Sequence, residues 1–155
     1  MQSIVNKLKQ FRALAWHEKT ILLGTLLLHP LFWLGLRVYG YARFQTWLDR
    51  IARPKRAQAD PKLDDLIALG RLVNLAARHT PAPATCLSRS LLLRWLLRRR
   101  GIASELRIGV QLIQGKLDAH AWVEYAGTPI NDAQDVANRY AAFNEPISLE
   151  AFTAP

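Results

Sequence analysis

The first third of the chain has the apolar pattern of helices. Apolar residues recur at helical spacing over residues 4–28, which predicts a helix that begins near Ser3. No charged residue lies from Thr20 to Leu36, and this run of 17 residues is at the short end for a membrane span. Pro30 interrupts the run, and proline suits the first position of a helix. We therefore expect a second helix to begin at Pro30, giving a helical hairpin or a kinked pair.

A polar, proline-bounded segment from Arg53 to Pro61 follows these helices. It divides the chain into a helical N-terminal segment, residues 1–58, and a domain over residues 59–155. Asp60 has the side chain of an N-cap, and Pro61 suits the first helical position. The domain is therefore predicted to open with a helix at this point.

The second half of the chain changes from a helical to an alternating pattern. Leu87 to Arg100 is predicted as a helix, and Gly101 stands where a C-terminal glycine is expected. Alternating apolar residues then indicate strands, which we place at residues 106–112, 119–125 and 130–132, with turns at 115–116 and 127–129. Helices followed by an antiparallel meander predict an α+β fold.

Composition narrows the possible functions. With 21 Lys and Arg against 12 Asp and Glu, the net charge of +9 favours an anionic partner. Neither basic run, at residues 50–56 or 98–100, lies in a nucleic-acid motif, so we expect no nucleic-acid partner. The single cysteine excludes an intramolecular disulfide, and the four histidines lack metal-site spacing, so we expect neither metal nor cofactor.

The single cysteine also fits a reducing cytosol, so a cytoplasmic protein is expected. The apolar N-terminal segment lacks the small-residue cleavage site of a secretory signal. We expect this segment to pack on the domain or on a partner protein, with association to a membrane surface as the alternative.

Cys86 is the candidate nucleophile. At the start of a helix its thiol meets the positive end of the helix dipole and unpaired amide donors, which favours the reactive thiolate. The same amides can stabilise an oxyanion. The alternative is a buried structural thiol, which is the usual fate of an isolated cysteine.

His120 and Asp132 complete a candidate triad with Cys86. His120 lies on a predicted strand beside Trp122, whose ring can cover the imidazole. Asp132 follows the next turn, so a cross-strand approach to His120 is easy. The carboxylate would orient the imidazole and stabilise its charged form. Asn131 and Asp135 are nearby substitutes for Asp132, although strand alternation puts Asn131 on the opposite face.

Two stretches, TCLSRSLLLRWLLRRRGIASELRIGVQ and AHAWVEYAGTPIND, resemble the peptidase of lasso-peptide maturation. The resemblance covers about residues 80–135. That family belongs to the transglutaminase-like, papain-related superfamily, so it implies a small antiparallel sheet with the catalytic cysteine at the N-terminus of a packed helix.

The resemblance also implies an activity and partners. Cys86 would be the nucleophile, His120 the general base and acid, and Asp132 the orienting group in cleaving a leader from a ribosomally made precursor peptide. A separate leader-recognition protein and an asparagine-synthetase-like, ATP-dependent cyclase would be partners. Since the segment before residue 60 is too apolar and helical for a recognition domain, we expect the stand-alone peptidase form.

Some alternatives stay open on the sequence. No glutamine upstream of Cys86 supplies the oxyanion contact known from papain relatives, so Thr85, backbone amides or Gln111 are candidates for it. Thr85 and Trp122 are the predicted substrate contacts. A transglutaminase-like acyl transferase or amidase would use the same residues. A basic, membrane-associated helical protein without catalytic activity would not need Cys86.

Overall fold

Three helices precede a small antiparallel sheet in the computed structural model, which describes residues 15–52 and 61–142. The predicted α+β class is therefore confirmed. The predicted helix start near Ser3, the linker residues 53–60 and the end of the chain lie outside the described residues. The elements are α1 (Trp16–Ile51), α2 (Leu63–Ala77), α3 (Cys86–Arg99), β1 (Glu105–Ile113), β2 (Lys116–Tyr125), β3 (Thr128–Pro129), α4 (Val136–Arg139) and β4 (Ala141–Ala142).

The first helix breaks at Gly40, so the prediction of a break at Pro30 is wrong. The helix continues through Pro30, while Gly40 has φ 72° and ψ 168° within the span of α1. Glycine adopts this left-handed region without a steric penalty. A proline inside a helix removes one backbone hydrogen bond and crowds the carbonyl four residues before it, but it keeps a helical φ. After the break the chain packs back on itself, with the ring of Phe44 set against Gly35 and 5.6 Å from the ring of Phe32.

The part of α1 before Gly40 has two apolar faces with different surroundings. One face is buried against the remainder of the protein: Ile21, Thr25, His29, Phe32 and Gly35. The other carries exposed residues at helical spacing, which we call the leucine face: Leu23, Leu27, Leu31, Leu34 and Val38. Helix α1 is long and apolar enough to cross a membrane, but the core helix of a soluble protein can have the same length and composition. Its buried face packs as a core helix does.

The hydrophobic core joins α1 to the later helices and to one face of the sheet. Its fully buried members include Val73 on α2, Leu92, Leu93 and Leu97 on α3, and Val123 on β2, and Phe32, Phe44 and Leu48 of α1 belong to the same cluster. The core therefore extends across the predicted boundary at residue 58. A smaller cluster of Trp122, Val136 and Tyr140 lies against the opposite face of β2.

The sheet has the strand order β3-β2-β1-β4, and every neighbouring pair is antiparallel. Its two hairpins turn at residues 114–115 and 126–127, where all four φ values lie between 48° and 78°. Positive φ at both central residues defines the type I′ turn, whose twist matches that of the strands. The first turn therefore lies one residue before the predicted 115–116. The second begins one residue before the predicted 127–129 and ends at Gly127.

Two further boundaries differ from the prediction. The third strand is Thr128–Pro129 rather than residues 130–132, because the early turn brings residue 128 opposite Tyr125. Helix α2 begins at Leu63 with Lys62 as its N-cap, so Pro61 precedes the helix instead of occupying its first turn. Asp60, the predicted cap, lies outside the described residues. Gly101 ends α3 with φ 76°, as predicted.

Candidate active site

Cys86 is the first residue of α3. Thr85 is the N-cap, with extended backbone angles and a hydroxyl that accepts from the Ser88 N–H at 3.2 Å. The predicted position of the cysteine at a helix N-terminus is confirmed. Among the described residues, the backbone N–H groups of Cys86 and Leu87 have no hydrogen-bond acceptor. These amides therefore point away from the helix, at the end where its dipole is positive.

His120 and Asp132 are in direct contact. His120 Nε2 lies 2.6 Å from Asp132 Oδ2, and Oδ1 of the same carboxylate accepts from the Ala133 N–H at 2.8 Å. Asp132 follows β3 in a bend rather than on a strand, so its approach to His120 is not the predicted cross-strand pairing. No described residue hydrogen-bonds to His120 Nδ1. The carboxylate thus fixes one ring nitrogen and leaves the other open for chemistry.

The position of Cys86 relative to this pair follows from the contact between α3 and β2. Ser90, one helical turn after Cys86, donates from its hydroxyl to the carbonyl of Ala121 at 2.9 Å. Cys86 therefore lies about 6 Å along the helix axis from a contact with the residue next to His120. Among the described residues, its thiol makes no hydrogen bond. Catalytic hydrogen bonds are often open in unliganded enzymes and close when substrate binds.

Asn131 connects α3, the helix that begins at Cys86, to the strand that carries His120. Its Nδ2 donates to Ser90 Oγ at 2.9 Å, and its Oδ1 accepts from the Val123 N–H at 2.8 Å. Its carbonyl accepts from the Asn74 side chain at 2.6 Å, which brings in α2. The sequence suggested Asn131 as a substitute for Asp132. In the structure Asn131 is instead a buried side chain whose hydrogen bonds to α3 and β2 hold the backbone next to Asp132 in place.

An aromatic wall supports the His120 ring. Trp122 lies nearly parallel to it at 6.2 Å between ring centroids, and Tyr140 lies 5.0 Å away. Gly109, opposite His120 on β1, leaves the space that these rings occupy. Trp122 is fully buried and donates to Glu124 at 2.8 Å. Its side chain offers no surface to substrate, so a supporting role replaces the predicted substrate contact.

Two candidates for the oxyanion contact are engaged elsewhere. The Thr85 hydroxyl caps α3, and Gln111 donates to Asp118 at 3.1 Å. Tyr140 also donates to Asp118, at 2.8 Å. These hydrogen bonds, first from Tyr140 and then from Gln111, lower the pKa of Asp118, and the same contact raises the pKa of Tyr140. The amides at the start of α3 are the remaining candidates. Asp135, the other substitute for Asp132, pairs with Arg139 at 3.4 Å.

His29 is a residue near the site that sequence reasoning missed. It comes from α1, is fully buried, and contacts Thr80 Oγ1 through Nδ1 at 2.8 Å and Ser88 Oγ through Nε2 at 3.0 Å. The Thr80 hydroxyl also contacts the Ala77 carbonyl at 2.8 Å, and the Ser88 hydroxyl contacts the Thr85 carbonyl at 3.1 Å. A neutral imidazole donates from one ring nitrogen and accepts at the other, so His29 donates to one of these hydroxyls and accepts from the other. Burial, and then the charge of Arg89, lower the pKa of His29. The available signal in the sequence was a histidine within an otherwise apolar run, which suggests a buried side chain that needs hydrogen-bond partners.

A polar cavity of about 430 Å³ opens beside His120 and Asp132. Three arginines line it, together with two asparagines and the site residues; the full lining is Asn74, Arg78, Arg89, His120, Asn131, Asp132, Arg139 and Tyr140. Within residues 15–52 and 61–142, no three His, Cys, Asp or Glu side chains converge as a metal site.

Comparison with known proteins gives one family. A family model described as the transglutaminase-like superfamily matches residues 33–145. Neither curated proteins nor solved structures give a match. The matched range includes Cys86, His120 and Asp132 as well as the second half of α1.

Proposed function

The chain belongs to the transglutaminase-like superfamily, whose members are usually cysteine peptidases or transferases, and we propose that it is a cysteine peptidase that removes the leader from a lasso-peptide precursor. One observation carries the proposal: a His–Asp pair at 2.6 Å beside a helix whose first residue is the only cysteine. A nucleophile, a base and a group that orients the base are what acyl transfer through a thioester needs.

We propose the following roles. His120 takes the proton of the Cys86 thiol as the sulfur attacks the scissile carbonyl carbon, and it then gives this proton to the leaving amine as the C–N bond breaks. The leader then remains on sulfur as a thioester. His120 takes a proton from a water molecule, whose oxygen attacks the thioester, and the C–S bond breaks to release the leader carboxylate. Asp132 keeps the Nε2 side of the ring occupied, so that Nδ1 faces the reaction in both steps.

The oxyanion formed in each step needs donors near Cys86. The amides of Cys86 and Leu87 meet this need, because they are unpaired among the described residues and lie at the positive end of α3. The helix that carries the nucleophile then also stabilises the charge that develops on the carbonyl oxygen. On this proposal the two amides take the role that a glutamine side chain has in papain relatives.

Support for the lasso-peptide substrate comes from the sequence. The stretches 85–111 and 119–132 are the ones that resemble the family's peptidase, and they contain all three proposed catalytic residues. On this proposal a separate recognition protein presents the leader, and an asparagine-synthetase-like cyclase uses the freed amine. The leucine face of α1 is the surface we propose for docking a protein partner, with a membrane surface as its rival.

Leader cleavage tests the proposal directly. The precursor encoded beside this chain would be incubated with the protein and the recognition protein, and the products followed by mass spectrometry. We expect leader release by the wild type and none by Cys86→Ala, with both proteins giving the same circular dichroism spectrum. Equal processing by both would make Cys86 structural and overturn the mechanism. Addition of a small amine separates hydrolysis from acyl transfer, because a transferase would attach the amine to the leader.

A further inference from the structure

The cavity beside His120 has an excess of positive charge. Arg78, Arg89 and Arg139 line it, and Asp132 is the one carboxylate among the lining residues. That carboxylate is already held by His120. Arg139 is paired, with Asp135 at 3.4 Å and Asp132 at 3.9 Å. Arg78 and Arg89 are therefore the cations whose charge the cavity does not balance.

Within the part of the chain that the structure describes, neither of these two arginines forms an ion pair with an Asp or Glu side chain. The guanidinium group of Arg78 makes no hydrogen bond or ion pair with any described residue, and the side chain of Arg89 uses only its Nε, which donates to the Thr85 carbonyl at 3.2 Å. Burial, and then the like charge of Arg78, lower the pKa of Arg89, while Cys86 and Asp132 oppose this shift. Like charges held together in a polar cavity cost free energy that an anionic ligand would recover.

We propose that this cavity is an anion subsite in which Arg78 and Arg89 hold a carboxylate of the peptide being processed. The inference rests on the proposed function, since it names the substrate chemistry of the same site. The guanidinium group matches a carboxylate with two parallel N–H donors, which gives orientation as well as attraction. Arg89 lies one helical turn from Cys86, so a carboxylate bound there lies close to the scissile bond.

A pair of alkylating reagents tests the subsite without any peptide. Iodoacetate and iodoacetamide both transfer a two-carbon group to the thiolate as iodide leaves, and they differ in carrying a carboxylate or a neutral amide. Cys86 is the only cysteine, so alkylation reports on this site alone. We expect Arg78→Gln to lower the iodoacetate rate by about fivefold and to leave the iodoacetamide rate unchanged. Arg89→Lys, which keeps the charge, should retain most of the preference.

Arg37→Gln is the matched control, because it removes the same charge from an exposed position on α1 that does not line the cavity. We expect both alkylation rates to stay at wild-type values in this variant. An iodoacetate rate that falls equally in Arg37→Gln and Arg78→Gln would reflect overall charge and would overturn the subsite. So would a preference that Arg78→Gln leaves intact.

Two peptide series identify the source of the carboxylate. In the first, each Asp or Glu near the cleavage site of the precursor is replaced by its amide, and binding to Cys86→Ala protein is measured. In the second, the released leader is compared with the same leader ending in a carboxamide. The subsite is supported, and its ligand identified, if either series lowers affinity in protein that has Arg78 but does not lower it when Arg78→Gln is also present. If neither series lowers affinity, the subsite is overturned. Failure of leader cleavage alone would count against the proposed function.

Discussion

His29 on α1 contacts Ser88 on α3, with His29 Nε2 and Ser88 Oγ 3.0 Å apart. Ser88 lies in the first turn of α3, two residues after Cys86. The other nitrogen of His29 holds Thr80, at the start of the loop that leads to Cys86. The N-terminal helix is therefore part of the support of the candidate active site, and its loss would disturb the position of the cysteine.

Acid should destabilise the protein through His29. Its pKa in the folded protein is lowered by burial and by Arg89, whereas the unfolded chain takes up a proton at about pH 6.5. Stability from neutral His29 is therefore present above pH 6.5 and is lost as the pH falls below it. We expect the free energy of unfolding in urea to fall more from pH 7.5 to pH 5.5 in the wild type than in His29→Asn.

His17→Asn is the control for this pH dependence, because His17 is an exposed histidine on the same helix. Its unfolding should change with pH as the wild type does. Parallel pH curves for the wild type and His29→Asn would show that burial of His29 does not govern acid stability. At pH 7.5, His29→Asn loses the hydrogen bonds of His29 to Thr80 and Ser88, which should lower the free energy of unfolding by about 2 kcal/mol.

Asp132→Asn should damage catalysis far more than folding. Asparagine fills the same space but cannot stabilise a charged imidazole, so we expect cleavage to slow by about 100-fold or more. His120→Ala should slow it at least as much. Asp135→Asn is the comparison, since Asp135 is an exposed carboxylate that pairs with Arg139 instead of His120. Equal losses in Asp132→Asn and Asp135→Asn would remove Asp132 from the proposed triad.

Asn131→Ala should unfold the protein more easily. It removes a donor to Ser90 and an acceptor for the Val123 N–H, and it leaves that N–H buried without a partner. The expected cost is about 2–3 kcal/mol in the free energy of unfolding. Asn138→Ala changes the same side chain at an exposed position on α4 and should stay within about 0.5 kcal/mol of the wild type. A similar small change in Asn131→Ala would contradict its role as a tie between α3 and β2.

Gly109→Ala should disturb the wall behind His120. A Cβ at this position would lie 2.9 Å from the Tyr140 Cβ and 3.0 Å from the far edge of the Trp122 ring. Overpacking of this kind costs about 1–3 kcal/mol, and here it also moves the rings that support the imidazole. Gly24→Ala is the control, because nothing lies within 4 Å and alanine favours a helix by about 0.5–1 kcal/mol. Equal stability of the two variants would mean that the wall adapts without cost.

The sequence predicted what depends on local pattern. The helix that begins at Cys86 and ends before Gly101 follows from its apolar spacing and its terminal glycine. The His120–Asp132 contact was suggested for a partly wrong reason, because Asp132 reaches the ring from a bend after an earlier turn. The His29–Ser88 and Asn131–Ser90 contacts could not be predicted, since each joins two residues more than 40 positions apart in the sequence through tertiary packing.

The leucine face of α1 should bind a partner without contributing to stability. Leu27 and Leu31 are 75% and 60% exposed, so Glu at both positions should leave the free energy of unfolding within about 1 kcal/mol of the wild type. We expect the double variant to lose pull-down of the recognition protein or the cyclase while iodoacetamide still alkylates Cys86 at the wild-type rate. This test is sharper than deletion of the N-terminal segment, because the buried face of α1 belongs to the core.

The matched control places the same substitutions on other exposed leucines. Leu112 and Leu117 face each other at the tip of the β1–β2 hairpin and are 71% and 67% exposed. Glu at both should remove as much apolar surface but leave pull-down intact, since the proposed docking surface is on α1. Equal loss of pull-down in the two double variants would indicate nonspecific hydrophobic binding and would contradict a specific docking surface on α1. Loss of binding to anionic vesicles instead of to the protein partners would assign the leucine face to a membrane, because its apolar face would then enter the lipid interface.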